Sequence, residues 1–230
     1  MISSSNSKTT NCLECNYKSD CFKKLIQSEL EFISKNKTQI KYQKGETIYK
    51  EGTFSSDIMY IVDGSAQKYI EGTNKFILKI LQKNEFIGLP SLFCSKEHCF
   101  YSVSAITDTT VCLIKKDKFK KLLTTNSIFA QEVIKWYCKD DEYYFNRFKS
   151  ISNKNMHGRL AEILLYLNNN ENFIKTACIT RKFLAEFAGI SVESTIRILS
   201  SLKKDKIIYT NGKSIKILNI KSLKQISENG

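Results

Sequence analysis

The segment "TRKFLAEFAGISVESTIRILSSLKKDKII" (180–208) is typical of two short helices joined by a tight turn. Thr180 can cap the first helix, "AGIS" (188–191) supplies a turn that contains glycine, and Ser191 can cap a second helix that begins at Val192. These caps and lengths predict a helix-turn-helix. An ordinary packed helical hairpin has the same outline and is the competing interpretation.

The second helix carries side chains suited to base recognition near its N-terminus. Glu193 and Arg197 are four residues apart and share one face, beside Ser194 and Ile196. After this helix, "KIIYTNGKSIKIL" (206–218) alternates around an Asn-Gly turn, which predicts a two-stranded wing. A helix-turn-helix followed by such a hairpin is a winged helix.

The charge of the chain favours a polyanionic partner. Its 230 residues include 36 Lys+Arg and 23 Asp+Glu, a net charge of +13. Residues 151–230 hold ten lysines, three arginines and six acidic residues, so +7 lies in about a third of the chain. This excess predicts attraction to nucleic acid or to an anionic membrane face.

Upstream of this region the pattern changes twice. From Thr38 to Lys115, short β-branched and aromatic runs alternate with turn signals, which predicts an antiparallel β-roll. Residues 22–37 precede it with helical spacing. Residues 119–151 follow it without Gly or Pro and predict a long helix.

The long helix has an aromatic stripe with two interpretations. The stripe either packs on the β-roll of the same chain or forms the seam of a dimer, and the sequence does not separate the two. Its members are Phe129, Val133, Trp136, Tyr137, Tyr144 and Phe148.

The N-terminal stretch "NCLECNYKSDCF" (11–22) places three cysteines close together. The first ten residues lack the apolar core of a secretory signal, and no run approaches the roughly 20 apolar residues of a membrane helix, so we expect a cytoplasmic protein without a membrane partner. In a reducing cytosol, clustered thiols indicate metal or redox chemistry before disulfides.

These observations predict an α+β protein in four parts. The parts are a cysteine-bearing segment at 1–21, a jelly-roll-like antiparallel β-roll at 22–118, a long helix at 119–151, and a winged helix-turn-helix at 152–230. Enzymatic function is not expected, because phosphate-binding and nucleophile motifs are absent and the chain has two histidines. A thiol enzyme is the weaker alternative.

The order of these parts resembles the CRP/FNR family of bacterial transcription regulators, and "TRKFLAEFAGISVESTIRIL" (180–199) carries the resemblance most specifically. In this family the recognition helix has a Glu and, four residues later, an Arg, as Glu193 and Arg197 are here. Val192 is similar to the FNR branch, where the cyclic-AMP branch has an Arg. Ile196 departs from FNR, which has a Ser there.

The resemblance implies how DNA is bound. It implies that the β-roll at 22–118 is a sensor domain, that 119–151 is the dimerisation helix, and that 152–230 is the DNA-binding domain. It also implies a homodimer on a palindromic operator with TGA-like half-sites, with RNA polymerase as a further partner. Glu193 and Arg197 would read a G·C pair, and Ile196 would pack on a thymine methyl group. Phosphate contacts would come from Thr180, Arg181, Lys182 and Ser194.

The resemblance also implies a cofactor. FNR-type sensors hold an iron–sulfur cluster through three N-terminal cysteines spaced as Cys12, Cys15 and Cys21 are, and a fourth in the β-roll that resembles Cys112. Four thiolates suit a 4Fe–4S or 2Fe–2S centre, and they suit zinc equally well. Attack by oxygen or nitric oxide would then release the dimer.

Other assignments of the cysteines stay open. Cys112 can be a small core residue, as free cysteines often are. A zinc site can combine the N-terminal cysteines with His98, and Cys94 and Cys99 compete with Cys112 as ligands. Haem is a further alternative, because His98 or Cys94 could be its axial ligand. Cys138 and Cys178 are interpreted as structural.

Cyclic AMP is not expected as the effector. Cyclic-nucleotide sensors of the family bind the ligand with a Gly-Glu pair followed by an Arg-Ser pair. Here Leu89 follows Gly88, and Tyr101 and Ser102 stand where Arg-Ser would be. We therefore expect a cyclic phosphate to find no cation at that position, and an unpaired buried phosphate is costly.

Overall fold

The computed structural model describes residues 11–15, 18–94, 98–169, 179–212 and 214–230. The chain divides into two compact units. The first contains Met1–Lys68 and Ile80–Asp141, and the second contains Tyr69–Lys79 and Glu142–Gly230. Across the described ranges, no helix is both long and apolar enough to cross a membrane.

Eight strands form the predicted β-roll in the described part of the chain. They make two four-stranded sheets, with the orders β1-β8-β3-β6 and β2-β7-β4-β5. The pairs β1/β8, β3/β8, β3/β6 and β2/β7 are all antiparallel, as predicted. The strands are β1 (Lys37–Tyr42), β2 (Thr47–Tyr49), β3 (Asp57–Asp63), β4 (Ala66–Ile70), β5 (Phe76–Leu81), β6 (Phe86–Ile87), β7 (Ser102–Ala105) and β8 (Thr109–Lys115).

The helix predicted at 22–37 is shorter in the structure. A 3₁₀ turn covers Phe22–Lys24, and α1 spans Gln27–Lys35. The chain is extended between them, and the N–H of Ile26 donates to Glu29 Oε2 at 3.0 Å, so the helix starts afresh behind a carboxylate cap.

The segment predicted as one helix at 119–151 is two helices. They are α2 (Lys116–Thr125) and α3 (Ser127–Asn153). Asn126 separates them with an extended backbone, and its Oδ1 accepts from the N–H of Phe129 at 2.8 Å. A side chain that caps the start of α3 ends the previous helix at the same point.

One half of the aromatic stripe packs on the β-roll, and the other half is partly or fully exposed. Phe129 and Val133 are buried in the core of the first unit, and the ring of Trp136 lies 5.2 Å from that of Phe86. Tyr144 is half-buried. Tyr137 and Phe148 are exposed, and Phe148 at 71% is among the most exposed apolar side chains described. The first half of the stripe therefore packs on the β-roll, and only the second half remains available for a dimer seam.

The second unit has the predicted winged helix. Its elements are α4 (Met156–Asn169), α5 (Arg181–Ala188), α6 (Val192–Lys204), the hairpin of β9 (Ile208–Asn211) and β10 (Ser214–Ile217), and α7 (Ile220–Asn229). The helix α7 was not predicted. Its signals are the cap at Asn219, which accepts from the N–H of Ser222, and the buried Leu223.

Candidate functional site

The turn between α5 and α6 is built from local hydrogen bonds. The Thr180 hydroxyl accepts from the N–H of Phe183 at 3.0 Å, and the Ser191 hydroxyl accepts from the N–H of Ser194 at 3.1 Å. Gly189 has a φ of +64°, and a Cβ there would lie 2.9 Å from a ring carbon of Phe76. The turn therefore requires glycine for both its backbone angle and its packing.

The N-terminal part of α6 presents the side chains predicted to meet bases. Glu193, Ile196 and Arg197 are exposed, and Val192 is half-buried. Backbone hydrogen bonding, the Ser191 hydroxyl and the charge of Arg197 all lower the pKa of Glu193. Glu193 is consequently a carboxylate at neutral pH and can act only as an acceptor.

Ser194 is arranged differently from its exposed neighbours. It is 7% exposed, and its Oγ accepts from Arg197 Nη2 at 3.1 Å. The hydroxyl of Ser191 donates to the same oxygen at 3.1 Å. The predicted phosphate contact of Ser194 stays a prediction, but its hydroxyl already has partners inside the helix.

The other predicted phosphate contacts lie at the start of α5. Lys182 extends into solvent, and its Nζ is 3.9 Å from Glu186. Arg181 Nη2 donates to the carbonyl oxygen of Gly212 at 3.1 Å, which ties α5 to the wing. Thr180 uses a lone pair as a cap, so its hydroxyl hydrogen remains available to an acceptor.

A buried arginine behind α5 was not predicted. Arg147 Nη2 donates to the carbonyl oxygen of Phe187 at 2.6 Å. Its guanidinium lies over the rings of Phe76 at 5.5 Å and Phe187 at 5.0 Å, and burial lowers its pKa. Nothing in the periodicity of the sequence distinguishes this arginine from a solvated one.

A second candidate site is an apolar cavity in the first unit. Cys12, Cys15 and Cys112 all line it. Its other walls are largely apolar and are formed by Lys18, Phe22, Leu30, Ile33, Lys37, Tyr60, Val62 and Ile114. The N–H of Cys12 donates to Ser34 Oγ of α1 at 3.3 Å, which fixes the N-terminal segment beside the roll.

The thiols of this cavity influence one another. Burial raises the pKa of Cys112 to about 11, with smaller increases from Cys12 and Cys15, while Lys37 acts in the opposite direction. The Nζ of Lys37 is 4.0 Å from Cys112 Sγ. Without a bound cation, Cys112 is therefore a neutral thiol.

Cys21 lies apart from the cavity. It is buried in the core of the first unit, and burial raises its pKa. Its charge and that of Cys15 both act on Tyr60, which pairs with Cys112 across β3 and β8. Cys21 is thus near this region without lining the same space.

The donor set fits an iron–sulfur or zinc centre in its chemistry, since thiolates bind both. Among the described residues, no group of three or more His, Cys, Asp or Glu side chains is close enough to hold a metal ion. The thiols therefore do not form a closed cage in the described residues, and binding would require the cysteine side chains to move closer together.

The competing ligands lie elsewhere. Cys94 is exposed and lines a different groove, beside Phe93. His98 pairs with Phe54 as an isolated bridge, and the Thr53 hydroxyl donates to buried Cys99 at 3.7 Å. Cys138 is exposed on α3, and Cys178 lies outside the described residues.

The interior of the β-roll differs from expectation in one respect. Tyr101 is buried, and its Oη accepts from the N–H of Gly88 at 2.8 Å. Lys68 Nζ lies 3.9 Å from the centre of the Tyr101 ring and 3.8 Å from Asp140 Oδ2 on α3. The expectation that no cation lies here was therefore wrong, because β4 supplies one and α3 supplies its counter-ion.

Comparison with known families identifies both halves of the chain. Residues 39–126 match the cyclic nucleotide-binding domain, and residues 158–226 match the Crp-like helix-turn-helix domain. Together the two domains cover more than half of the chain.

Individual relatives include an anaerobic regulator and a cAMP-activated regulator. The anaerobic regulatory protein of Bacillus subtilis is 25% identical over 193 residues, 80% of this chain and 81% of the relative. The cAMP-activated global regulator CRP of Salmonella typhimurium is 26% identical over 182 residues, 76% of this chain and 87% of the relative. These near-equal identities do not select an effector.

A solved structure has the same fold. It is a crystal structure described as a putative transcriptional regulator of the crp/fnr family from Eubacterium rectale, with a TM-score of 0.77 and 18% identity. The match covers 91% of this chain and 98% of that one.

Proposed function

Since this chain belongs to the CRP/FNR family of DNA-binding transcription regulators, we propose that it senses oxygen, nitric oxide or redox state through an iron–sulfur cluster. The proposed ligands are Cys12, Cys15, Cys21 and Cys112. The relatives are regulators and not enzymes, so the sensing event would act on DNA binding.

The observation that carries this proposal is the shared cavity of Cys12, Cys15 and Cys112. Cys112 lies about a hundred positions along the chain from Cys12 and Cys15, and largely apolar walls surround all three. Neither exposed thiol, Cys94 or Cys138, lines that cavity. A structural core role for Cys112 alone does not require the other two thiols to meet it there.

The residues around the proposed cluster would have different roles. Cys112 anchors the site on β8, and Ser34 holds the backbone of Cys12 against α1. When bound, an iron–sulfur cluster supplies a redox-sensitive link between thiolates. The apolar walls limit access of water, and loss of that link would free the N-terminal segment from the roll.

We further propose that the protein acts as a homodimer on a palindromic operator. The exposed half of the aromatic stripe supports a seam along α3, since a large apolar patch on a helix is favourable only when covered. A dimer would place its two α6 helices in major grooves about one helical turn apart. Contact with RNA polymerase remains an expectation from the family, as does a cytoplasmic location.

Base readout is proposed for α6. The exposure of Arg197 and Glu193 supports bidentate pairing of the arginine with guanine and acceptance by the carboxylate from cytosine. Ile196, exposed at 49%, would pack on a thymine methyl group. Thr180, Arg181 and Lys182 would contact phosphates, and Val192 would face the groove beside Glu193.

Cyclic AMP is not the proposed effector. The cation beside Tyr101 is Lys68, whose ammonium group already lies 3.8 Å from Asp140. A cyclic phosphate would have to compete with the Asp140 carboxylate for Lys68, and the two negative charges would repel each other.

Anaerobic purification tests the sensing proposal. We expect brown protein with stoichiometric iron and sulfide, whose visible absorbance decays in air. Serine at Cys12, Cys15, Cys21 or Cys112 should abolish the colour, and Cys138→Ser, which changes an exposed thiol, is the matched control. Colourless protein that contains only zinc would refute iron–sulfur sensing while leaving DNA binding intact.

A further inference from the structure

The hydroxyl group of Ser194 lies between the cap of α6 and its exposed arginine. Ser194 is 7% exposed, although Glu193 beside it is exposed. Its Oγ accepts from Arg197 Nη2 at 3.1 Å and from the Ser191 hydroxyl at 3.1 Å. The two lone pairs of this oxygen are therefore used inside the protein.

We propose that Ser194 is a positioning residue for base readout, whose hydroxyl holds the guanidinium of Arg197 for guanine. The inference rests on the proposed role of Arg197 and adds a second determinant of specificity. A phosphate would take the hydroxyl hydrogen of Ser194, so it is the 7% exposure of this residue that assigns it to the protein side of the interface instead of to a phosphate.

The physical basis is preorganisation of a long side chain. A free arginine samples many rotamers, and ordering it on DNA lowers the affinity. The bond to Ser194 uses one N–H of the five in the guanidinium, so the others remain for guanine O6 and N7. Restricting the arginine before binding therefore strengthens the specific contact without using the donors it needs.

The serine pair also connects Arg197 with its carboxylate neighbour. The Ser191 hydroxyl lowers the pKa of Glu193 by hydrogen bonding, and the same hydroxyl reaches Ser194. Ser191 has one hydroxyl hydrogen, so these two acceptors share it. Arg197 is thus connected through Ser194 to the cap of α6.

A phosphate contact from Ser194 predicts a different result. Phosphate contacts fix the register of a protein on DNA but carry no sequence information. Loss of such a contact weakens binding to every duplex alike. Loss of a positioning residue weakens only the duplex with the recognised base.

The test uses the full chain and an operator selected from random duplexes by the wild-type protein. Four duplexes that differ only at the guanine assigned to Arg197 are compared by competition binding. Ser194→Ala should lower affinity for the guanine duplex by about three- to tenfold and leave the other three unchanged. Ser194→Thr keeps the hydroxyl and should restore the preference.

Two controls separate positioning from stability. Ser200→Ala removes an exposed serine of the same helix, whose hydroxyl donates to the Ile196 carbonyl oxygen at 2.9 Å, and should change nothing. Ser194→Cys has nearly the size of serine but is a weak hydrogen-bond partner, so it should reproduce the loss even if Ser194→Ala lowers the melting temperature.

The outcomes distinguish this inference from the proposed function. Equal loss on all four duplexes, or no loss, would overturn the positioning role. In an Arg197→Ala background, Ser194→Ala should have no further effect. If Arg197→Ala itself retained the guanine preference, both the proposed base readout and this inference would be wrong.

Discussion

The ion pair inside the β-roll allows a quantitative prediction. Lys68 and Asp140 are 7% and 10% exposed in their side chains, and Lys68 Nζ lies 3.8 Å from Asp140 Oδ2. At an effective dielectric constant of about 20, two opposite charges at this distance attract by about 4 kcal/mol. We expect Lys68→Met to remove that attraction while keeping most of the apolar volume of the lysine stem.

The loss in free energy of unfolding caused by Lys68→Met should be large for a single substitution. Removing one partner of a buried pair leaves a buried charge and typically costs about 3–5 kcal/mol. Loss of the cation–π contact with Tyr101, 3.9 Å from Lys68 Nζ, adds at most about 2 kcal/mol. Replacing both residues, as Lys68→Met with Asp140→Leu, should recover most of the loss, because no buried charge remains.

Urea denaturation of the two single variants and the double variant measures this coupling. A slope of about 2 kcal/mol per molar urea converts a loss of 4 kcal/mol into a midpoint about 2 M lower. The double variant should unfold at nearly the wild-type urea concentration, so the coupling from the cycle should exceed the loss of either single variant. If the two single losses simply added in the double variant, the pair would not be coupled and the reasoning would fail.

Three further predictions concern the turn, the thiols and the dimer seam. Gly189→Ala should destabilise the protein by about 2 kcal/mol or more in thermal unfolding, because its Cβ would meet the Phe76 ring at a positive φ. Gly212→Ala is the control, since Gly212 has a φ of +55° in open space, and it should cost only about 1 kcal/mol. In metal-free protein, Cys112 should be alkylated much more slowly than Cys138 at pH 8, and mass spectrometry should show its reactivity rising towards pH 11. Because burial raises the pKa of Cys112 from 9.0 to about 11, stability should be fully present below pH 9 and fall between pH 9 and 11, a loss that Cys112→Ser removes. Phe148→Glu should weaken dimerisation in sedimentation without lowering the melting temperature, and an unchanged dimer would exclude the exposed stripe as the seam.

The sequence was sufficient where structure depends on neighbouring residues. The caps at Thr180 and Ser191 and the Asn-Gly turn of the wing each form within four residues, so their patterns predicted α5, α6 and the hairpin. The alternating runs and turn signals predicted the strands of the antiparallel roll, but pairs such as β1/β8 join residues that are far apart in the chain. The break at Asn126 was missed because an unbroken helical pattern conceals a side chain that can cap.

Cysteine spacing together with the family resemblance predicted only part of the arrangement of the thiols. It selected Cys12, Cys15 and Cys112, which do line one cavity, but it could not reveal that Cys21 is buried in the adjoining core without lining that cavity. The direction of a side chain in an irregular segment depends on what packs around it, and no period in the sequence records that.

Only the tertiary structure shows which charged side chains are buried and what they contact. Lys68 and Asp140 are far apart in the chain, and each resembles a solvated surface residue until β4 and α3 bring them together. The same is true of Arg147, which stacks between the rings of Phe76 and Phe187. Patterns of polarity predict which face of an element is buried, because burial of apolar surface is nearly independent of partner identity. A buried charge is tolerated only beside a particular counter-ion or ring, so its place depends on contacts between distant segments.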